Sequence, residues 1–384
     1  MVAAVFALLA VTAAASTPLW PAGRWVAVHL FILGVLANTV IAMSLHFATT
    51  LTRTRDGDAR ILLWLVNVGT VSVIGGRLWD ITWLVAAGAT LVSGAVAVNL
   101  RTIRAMRRAA VGARFAFVVR SYERAHAAFL LGALLGAIIA AGAAPGTWYS
   151  AIRIAHVHVN VLGFGGLTLL ATLVFFGPTM LRTRIEPDAD AVAARALQWG
   201  VAALAIAVAA LLVTGAGGPW ATPGRVAAGL GLLGYAAATA AVCAPVVRAA
   251  RRAGDAQLRP HVVGACAWFT AGVAADAVAV LLRSPVLLDV AALAVLVGGL
   301  AQAILASTAY VVTVVRRSRD VPSVRRLQPI AMNVGVGLMV ASVPLGGTAG
   351  MLGYRGGIGI TGLVIVTELG SAAIRLMSRA EPRQ

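Results

Sequence analysis

Lysine is absent from this chain, and charged residues of every kind are scarce. Only 11% of the 384 residues are charged, whereas a typical soluble domain has about 25%. This shortage excludes a disordered chain, a coiled coil and an ordinary cytosolic protein. Arginine supplies all 31 basic residues against 13 acidic ones, so the formal net charge is +18. Because apolar runs of membrane-spanning length separate the arginines, this charge indicates orientation in a bilayer rather than nucleic-acid binding.

Cysteine is also rare, and long hydrophilic segments are missing. Cys243 and Cys266 are the only two cysteines, and their spacing fits neither a metal motif nor a disulfide framework. Both are predicted to lie within helices as small buried hydrophobic residues. Since no loop is long enough for a soluble domain, we predict one integral membrane domain over residues 1–384.

Apolar runs are what the sequence has in abundance, and the mean hydropathy is +0.91. A bilayer core of about 30 Å needs roughly 20 apolar residues per helix, and twelve segments qualify. The predicted spans are 2–20, 25–50, 61–78, 80–99, 125–144, 150–181, 191–214, 225–247, 261–282, 286–315, 328–346 and 358–377. The fold class is therefore all-α, a polytopic membrane bundle of about twelve transmembrane helices. Twelve helices allow two halves of six, although no sequence repeat relates the halves.

The arginines fall mainly on alternate loops between these spans. The loops after the even-numbered spans and the C-terminal tail hold 25 of the 31. The six on the opposite side are Arg24, Arg77, Arg153, Arg225, Arg283 and Arg355. By the positive-inside rule this split places both termini in the cytoplasm, with the longest basic stretch, 101–124, as a cytoplasmic topology anchor. We expect a multi-pass protein of the cytoplasmic membrane of a bacterium, in contact with the lipid bilayer and with no nucleic acid.

The first span is ambiguous, because MVAAVFALLAVTAAAS has the apolar core and small residues of a signal peptide. It lacks the positively charged start that such a peptide carries. We therefore expect an uncleaved first helix.

Ionisable residues inside a membrane are costly, so they are the first candidates for function. The predicted helix directions divide the six histidines into an outer and an inner layer. The outer layer is His29, His156 and His158, and the inner layer is His46, His126 and His261. We interpret His126 and His261 as interfacial polar residues. A second, inner metal site on His46 and His126 would carry electrons across the membrane, but His29 and His46 differ by about 100° around their helix, which disfavours stacked hemes.

The His156-Val157-His158 pair is the most informative local feature. Residues two apart point about 200° apart on a helix, so the two imidazoles serve two sites, one on each side of the helix, or one ligates while the other hydrogen-bonds or lines a cavity. Gly163 then shares the face of His156, and Gly165 that of His158. Small residues there admit either a close helix or a flat cofactor.

Three further polar residues lie within the predicted spans. They are Asn160, after the histidine pair, Asp276, in the outer part of the ninth span, and Glu368, near the middle of the twelfth. A buried acid of this kind belongs either to a proton path or to a structural hydrogen bond between helices.

Two histidine-bearing segments resemble a known family. HVHVNVLGFGGLTLLATLVFFGPTMLRTRI and HLFILGVLANTVIAMSLHFATTLTRTR look like helices of the heme–copper oxidase and nitric oxide reductase superfamily. They are also similar to NnrS-type proteins and to membrane modules of actinobacterial copper oxidase or nitrite reductase-like proteins. The resemblance implies a heme, with copper as a second candidate, and electron transfer or nitric oxide, oxygen or copper chemistry. It assigns His29, His156 and His158 as ligands beside Gly163 and Gly165, and leaves open which member of the pair faces His29.

The departures from that family limit the prediction. A complete oxidase needs three more histidines at the same outer depth, and the chain has no such set, no His-His pair and no His-x-x-x-Tyr pattern. We therefore do not expect complete oxidase activity, and an oxidoreductase role stays a hypothesis. The three outer histidines alone would suit copper, although the 200° separation counts against it. The alternatives are a twelve-helix secondary transporter with a polar midplane site, and a membrane anchor for a soluble copper protein or redox partner.

Overall fold

The structure is a computed structural model that describes residues 2–17, 19–20, 22–54, 57–110, 115–254, 257–315 and 327–377. All regular structure in these ranges is helical. The helices are α1 (Val2–Ser16), α2 (Gly23–Thr52), α3 (Arg60–Leu78), α4 (Thr82–Ala109), α5 (Ala116–Ala140), α6 (Trp148–Met180), α7 (Ala189–Ala216), α8 (Gly218–Arg252), α9 (Arg259–Leu282), α10 (Pro285–Val315), α11 (Gln328–Leu345) and α12 (Gly347–Met377). The predicted all-α polytopic bundle is confirmed. The predicted loop arginines at 55, 114 and 316–326, and those of the tail at 378–384, lie outside the described residues.

The predicted spans correspond one to one with the twelve helices, but several limits were wrong. α2 to α12 have the length and apolar composition to cross a membrane. α1 has 15 residues and spans about 22 Å, which is short of the bilayer core. It packs through Phe6 against α2 and through Val11 against α12. α4 and α5 extend well into 101–124, so most of the predicted basic loop is helical, because arginine-bearing turns continue both helices beyond their apolar parts.

The bundle repeats a unit of four helices three times, not a unit of six twice as the sequence allowed. The third and fourth helices of each unit pair closely and are joined by very short turns. The three turns contain Asp80 (φ 56°), Gly217 (φ 68°) and Gly346 (φ 61°), all with left-handed backbone. Glycine adopts this conformation without steric cost, which allows the chain to reverse within one to three residues.

The second helix of each unit contains an eight-residue π-helical segment. The segments are Leu30–Ala37 in α2, Val159–Gly166 in α6 and Ala294–Ala301 in α10. In each segment the fifth residue is a glycine, and a Cβ atom there would collide with the preceding helix. The colliding pairs are Gly34 with Phe6, Gly163 with Ala128, and Gly298 with Trp268. The three units therefore share a backbone conformation and a close helix contact, but they do not share a long stretch of similar sequence.

The π-helical segment of α6 lies against those of α2 and α10. The seventh residues of the segments meet at this contact, with Leu36 and Leu300 each against Gly165. A Cβ atom on Gly165 would lie 3.0 Å from a terminal methyl of each leucine. The absence of a side chain at Gly165 thus lets α6 approach both α2 and α10.

Exposed tryptophans are more frequent at one end of the bundle. Five of the seven exposed tryptophans among the described residues lie on the side that the arginine distribution predicts to be outside: Trp20, Trp79, Trp83, Trp148 and Trp220. The other two, Trp64 and Trp199, lie in the inner halves of α3 and α7. Tryptophan is enriched where a membrane protein passes through the headgroup region. Together with the eleven long apolar helices, this distribution describes a multi-pass membrane protein.

Candidate functional site

His29 is fixed by a single neighbour, Trp25, one turn earlier in α2. Its Nδ1–H donates to the Trp25 carbonyl oxygen over 2.8 Å. The indole stacks on the imidazole with ring centroids 3.9 Å apart and 24° between the planes. Nε2 of His29 makes no hydrogen bond within the described residues, and in this tautomer it carries a lone pair. Ligating histidines are oriented in this way, with the non-ligating nitrogen bonded to a carbonyl or carboxylate.

His156 is held by α5. Its Nδ1–H donates to the carbonyl oxygen of Gly132 over 2.7 Å, and Asn160 donates to the carbonyl of His156 over 2.8 Å. Gly136 lies beneath the ring, where a Cβ atom would come within 2.8 Å of Cε1. Nε2 of His156 has no hydrogen-bond partner within the described ranges. His29 and His156 lie on α2 and α6, and these two helices are in contact further along, where Leu36 lies against Gly165.

His158 has a different environment. Its Nδ1 bonds to the carbonyl oxygen of Ile154, and its Nε2 lies 2.8 Å from Oδ2 of Asp276 on α9. His158 is 3% exposed and Asp276 is 7% exposed. Both ring nitrogens are therefore occupied, and ligation of a metal by His158 would first break a buried pair.

The two members of the His-x-His pair therefore face different helices, as their spacing predicts: His156 faces α5 and His158 faces α9. Of the alternatives that the sequence left open, this arrangement matches the one in which one imidazole is free to ligate and the other hydrogen-bonds. His156 is therefore the member whose Nε2 has no partner within the described residues, whereas both nitrogens of His158 are engaged. In the described part of the chain, no three His, Cys, Asp or Glu side chains are placed to hold a metal ion.

Gly163 and Gly165 lie at helix contacts. A Cβ atom on Gly163 would meet Ala128 of α5, so Gly163 shares the face of His156 as predicted. The predicted match of Gly165 to the His158 face is wrong, because the π-helical segment shifts the register by one residue. Gly166, not Gly165, faces α9, through Phe269. The cofactor role of Gly163 and Gly165 stays a prediction.

The predicted interfacial histidines, His126 and His261, are buried inside the bundle, whereas His46 is exposed. His126 is fully buried; its Nδ1 bonds to the Tyr122 carbonyl oxygen over 2.7 Å, and its Nε2 accepts from Asn99 over 2.8 Å. His46 is exposed on α2. With both His126 nitrogens engaged and His46 turned outward, their surroundings do not favour a shared inner metal site.

The third inner histidine and the predicted acid of α12 form a second buried pair. His261 Nε2 lies 3.1 Å from Oε1 of Glu368. Glu368 is not at the middle of its helix, because α12 begins eleven residues earlier than predicted. It is level with the first turn of α11, where Gln328 donates to Thr367 over 3.0 Å.

A cleft lies beside the contact of the three π-helical segments. It is formed only by α2, α6 and α10 and holds about 480 Å³ of atom-free space, counting its open mouth. The hydroxyl-bearing residues that line it are Thr39, Thr168, Thr172 and Ser307. The hydroxyl of each threonine donates to a carbonyl oxygen of its own helix. Its lining contains no charged or amide side chain. This cleft is therefore unlike the polar midplane site that a secondary transporter uses.

Sequence reasoning missed the residues that hold the imidazoles in place, Trp25 and the glycines of α5. A signal for the glycines was present, since Gly132 and Gly136 form a Gly-x-x-x-Gly pattern, which permits close contact between membrane helices. Trp25 is one turn before His29 and would have been found by the same i, i+4 spacing. Comparison of the chain with protein-family models and with curated proteins finds no significant match.

Proposed function

We propose that this protein binds a heme through His29 and His156 in the outer half of the membrane. The observation that supports the proposal is that the two imidazoles have the same hydrogen-bonding pattern. Each donates Nδ1–H to a backbone carbonyl, and Nε2 of each has no hydrogen-bond partner within the described residues. The resemblance of both segments to heme–copper oxidase helices points to the same ligands.

The residues present fit a two-histidine site better than a three-histidine copper centre. His158 is committed to Asp276 and acts in the proposal as a positioning residue, because it ties α6 to α9 just after His156. When bound, a heme would supply one-electron redox chemistry or binding of a diatomic gas. The chain's own contribution is to fix the two rings through Trp25 and Gly132 and to exclude water with the surrounding helices. Copper held by the same two imidazoles is the alternative.

The proposed role is electron transfer or nitric oxide or oxygen chemistry in the cytoplasmic membrane of a bacterium. His29 and His156 lie within three turns of the outer ends of α2 and α6. A soluble redox protein or copper protein at the outer face would therefore be a suitable partner. The position of these histidines near the outer face is also compatible with the role of a membrane anchor for a copper enzyme.

The test is an absorption spectrum and metal analysis of the purified, folded protein. We expect a Soret band that is lost in both His29→Ala and His156→Ala. His46→Ala is the matched control, because His46 lies on the same helix as His29 but is exposed, and the band should be unchanged. A band that survives both ligand substitutions, or folded wild-type protein with neither heme nor copper, would refute the proposal.

A further inference from the structure

A buried polar cluster lies where the first two turns of α9 and α11 pack against α10 and α12, and it takes no part in the histidine site described above. It contains His261 on α9, Gln302 on α10, Asn333 on α11 and Glu368 on α12. His261 is 1% exposed, Gln302 0% and Glu368 7%. Polar groups inside a membrane protein are costly unless each has a partner. The partners of this cluster therefore show whether it is complete.

Three of the four side chains, His261, Glu368 and Asn333, have well-defined hydrogen-bond partners. Nε2–H of His261 donates to Oε1 of Glu368 over 3.1 Å. Asn333 accepts from the indole N–H of Trp268 over 2.9 Å and donates to the Pro329 carbonyl oxygen over 2.8 Å. These bonds hold the carboxylate and the amide in place from two different helices.

Gly264 brings the amide groups together. A Cβ atom there would lie 2.4 Å from Oδ1 of Asn333 and 2.9 Å from Oε1 of Gln302, so both amides rest on the bare backbone of α9. Gly264 is one turn after His261, and side chains at that spacing start about 5–6 Å apart. Both amides also reach the carbonyl oxygen of Pro260, the residue before His261, over 3.5 Å from Gln302 and 3.3 Å from Asn333, so they lie beside the His261–Glu368 pair.

Three atoms in this region lack a partner. Nδ1 of His261, Oε1 of Gln302 and Oε2 of Glu368 are shielded from solvent and make no hydrogen bond within the described residues. Since Nε2–H of His261 is the donor to Glu368, a neutral imidazole leaves Nδ1 as an acceptor. Oε1 of Gln302 and Oε2 of the Glu368 carboxylate are acceptors, and so is Nδ1 when the imidazole is neutral. Among the described ion pairs the partner of Glu368 is His261 itself, so in that state the charge of the carboxylate is not neutralised.

We propose that this cluster binds one sodium-sized monovalent cation that enters from the inner side. Carboxylate and amide oxygens are the ligands that hard cations prefer, and Oε2 of Glu368 and Oε1 of Gln302 supply them. One positive charge makes the site neutral, whereas a divalent ion would leave an excess charge in a low-dielectric interior. The site lies within two turns of the starts of α9 and α11, which places it close to the inner surface.

The experiment is thermal unfolding of the full-length protein in detergent, with NaCl exchanged for choline chloride at constant ionic strength and pH. A ligand that binds only the folded state raises the melting temperature with its concentration. We expect a rise of about 2 °C or more for each tenfold increase in sodium above half-saturation. Glu368→Gln should abolish the dependence. Asp276→Asn is the matched control, because it neutralises the other buried acid of a His–carboxylate pair and should keep the sodium response.

A second variant keeps the test decisive if Glu368→Gln does not fold. Gln302→Ala retains the charge but removes one oxygen ligand, and the sodium concentration at half-effect should rise at least tenfold. The proposal is overturned if the wild type shows no sodium dependence, if its stability follows pH but not sodium, or if Gln302→Ala responds to sodium as the wild type does. No step depends on the proposed heme, so the spectrum of the protein plays no part in the outcome.

Discussion

Replacement of Asp276 by alanine would leave His158 buried without its partner, and the size of the resulting loss reports the character of their bond. Both side chains are nearly excluded from solvent, and they join α6 to α9 over 2.8 Å. Removal of one member of a buried ion pair costs about 3–5 kcal/mol. A neutral hydrogen bond between membrane helices is worth much less, about 0.6 kcal/mol on average and about 1.7 at most. The free-energy costs expected for an ion pair and for a neutral hydrogen bond therefore differ enough to be distinguished by experiment.

The assay is a double-mutant cycle of Asp276→Ala, His158→Ala and the combination, with unfolding in mixed micelles followed by circular dichroism. For an ion pair we expect Asp276→Ala to lower the free energy of unfolding by about 3–5 kcal/mol. The double variant should recover part of this loss, because no unpaired charge remains, so the coupling energy should exceed about 2 kcal/mol. Asp276→Asn keeps an acceptor and the shape of the side chain. Its cost separates the loss of charge from the loss of volume.

A coupling energy at or below the neutral hydrogen-bond value would refute this reasoning. The pair would then hold α6 against α9 no more strongly than an ordinary interhelical contact. Its role in positioning His156 would lose its energetic support.

Two other predictions concern packing and orientation. Gly132→Ala should lower the free energy of unfolding by about 1–3 kcal/mol, because its Cβ atom would lie 2.3 Å from Nδ2 of Asn160. Gly94→Ala is the control, because a Cβ atom there would have no neighbour within 4 Å. This substitution should raise the free energy of unfolding by up to about 1 kcal/mol through helix propensity. Equal effects of the two substitutions on the free energy of unfolding would contradict this account. In a cysteine-free variant, a cysteine at Gly146 should react with an impermeant thiol reagent added outside intact cells, whereas one at Arg184 should react only after permeabilisation. The reverse pattern would overturn the predicted orientation.

The fold was largely predictable because the length of an apolar run is set by the thickness of the bilayer. That constraint gave all twelve helices and their order. It did not give the helix ends in the basic region, because α4 and α5 continue through Arg101 and Arg124 where hydropathy has already fallen. The threefold repeat was hidden for a different reason: it depends on a widened turn in α2, α6 and α10, which leaves only a glycine at the fifth position as a sequence signal.

The candidate site was predictable in its members but not in their partners. Helix periodicity correctly placed His156 and His158 on different sides. Whether His158 was a ligand or a hydrogen-bonding residue depended on Asp276, 118 positions later in the chain, and no local pattern contains that information. The depth of Glu368 was misjudged because the start of α12 is rich in glycine, which lowers hydropathy without ending the helix.

The π-helical segments also affect how this chain should be aligned with distant relatives. Each segment accommodates one residue more than an α-helix of the same rise, and deletion of that residue would rotate everything beyond it by about 100°. A relative with regular α-helices in place of the three π-helical segments would have one residue fewer in each of the ranges 30–37, 159–166 and 294–301. An alignment of the two sequences would then need a one-residue gap inside each of these helices. Without the gap, the alignment would pair equivalent residues in the outer half of α2, α6 and α10 or in the inner half, but not in both.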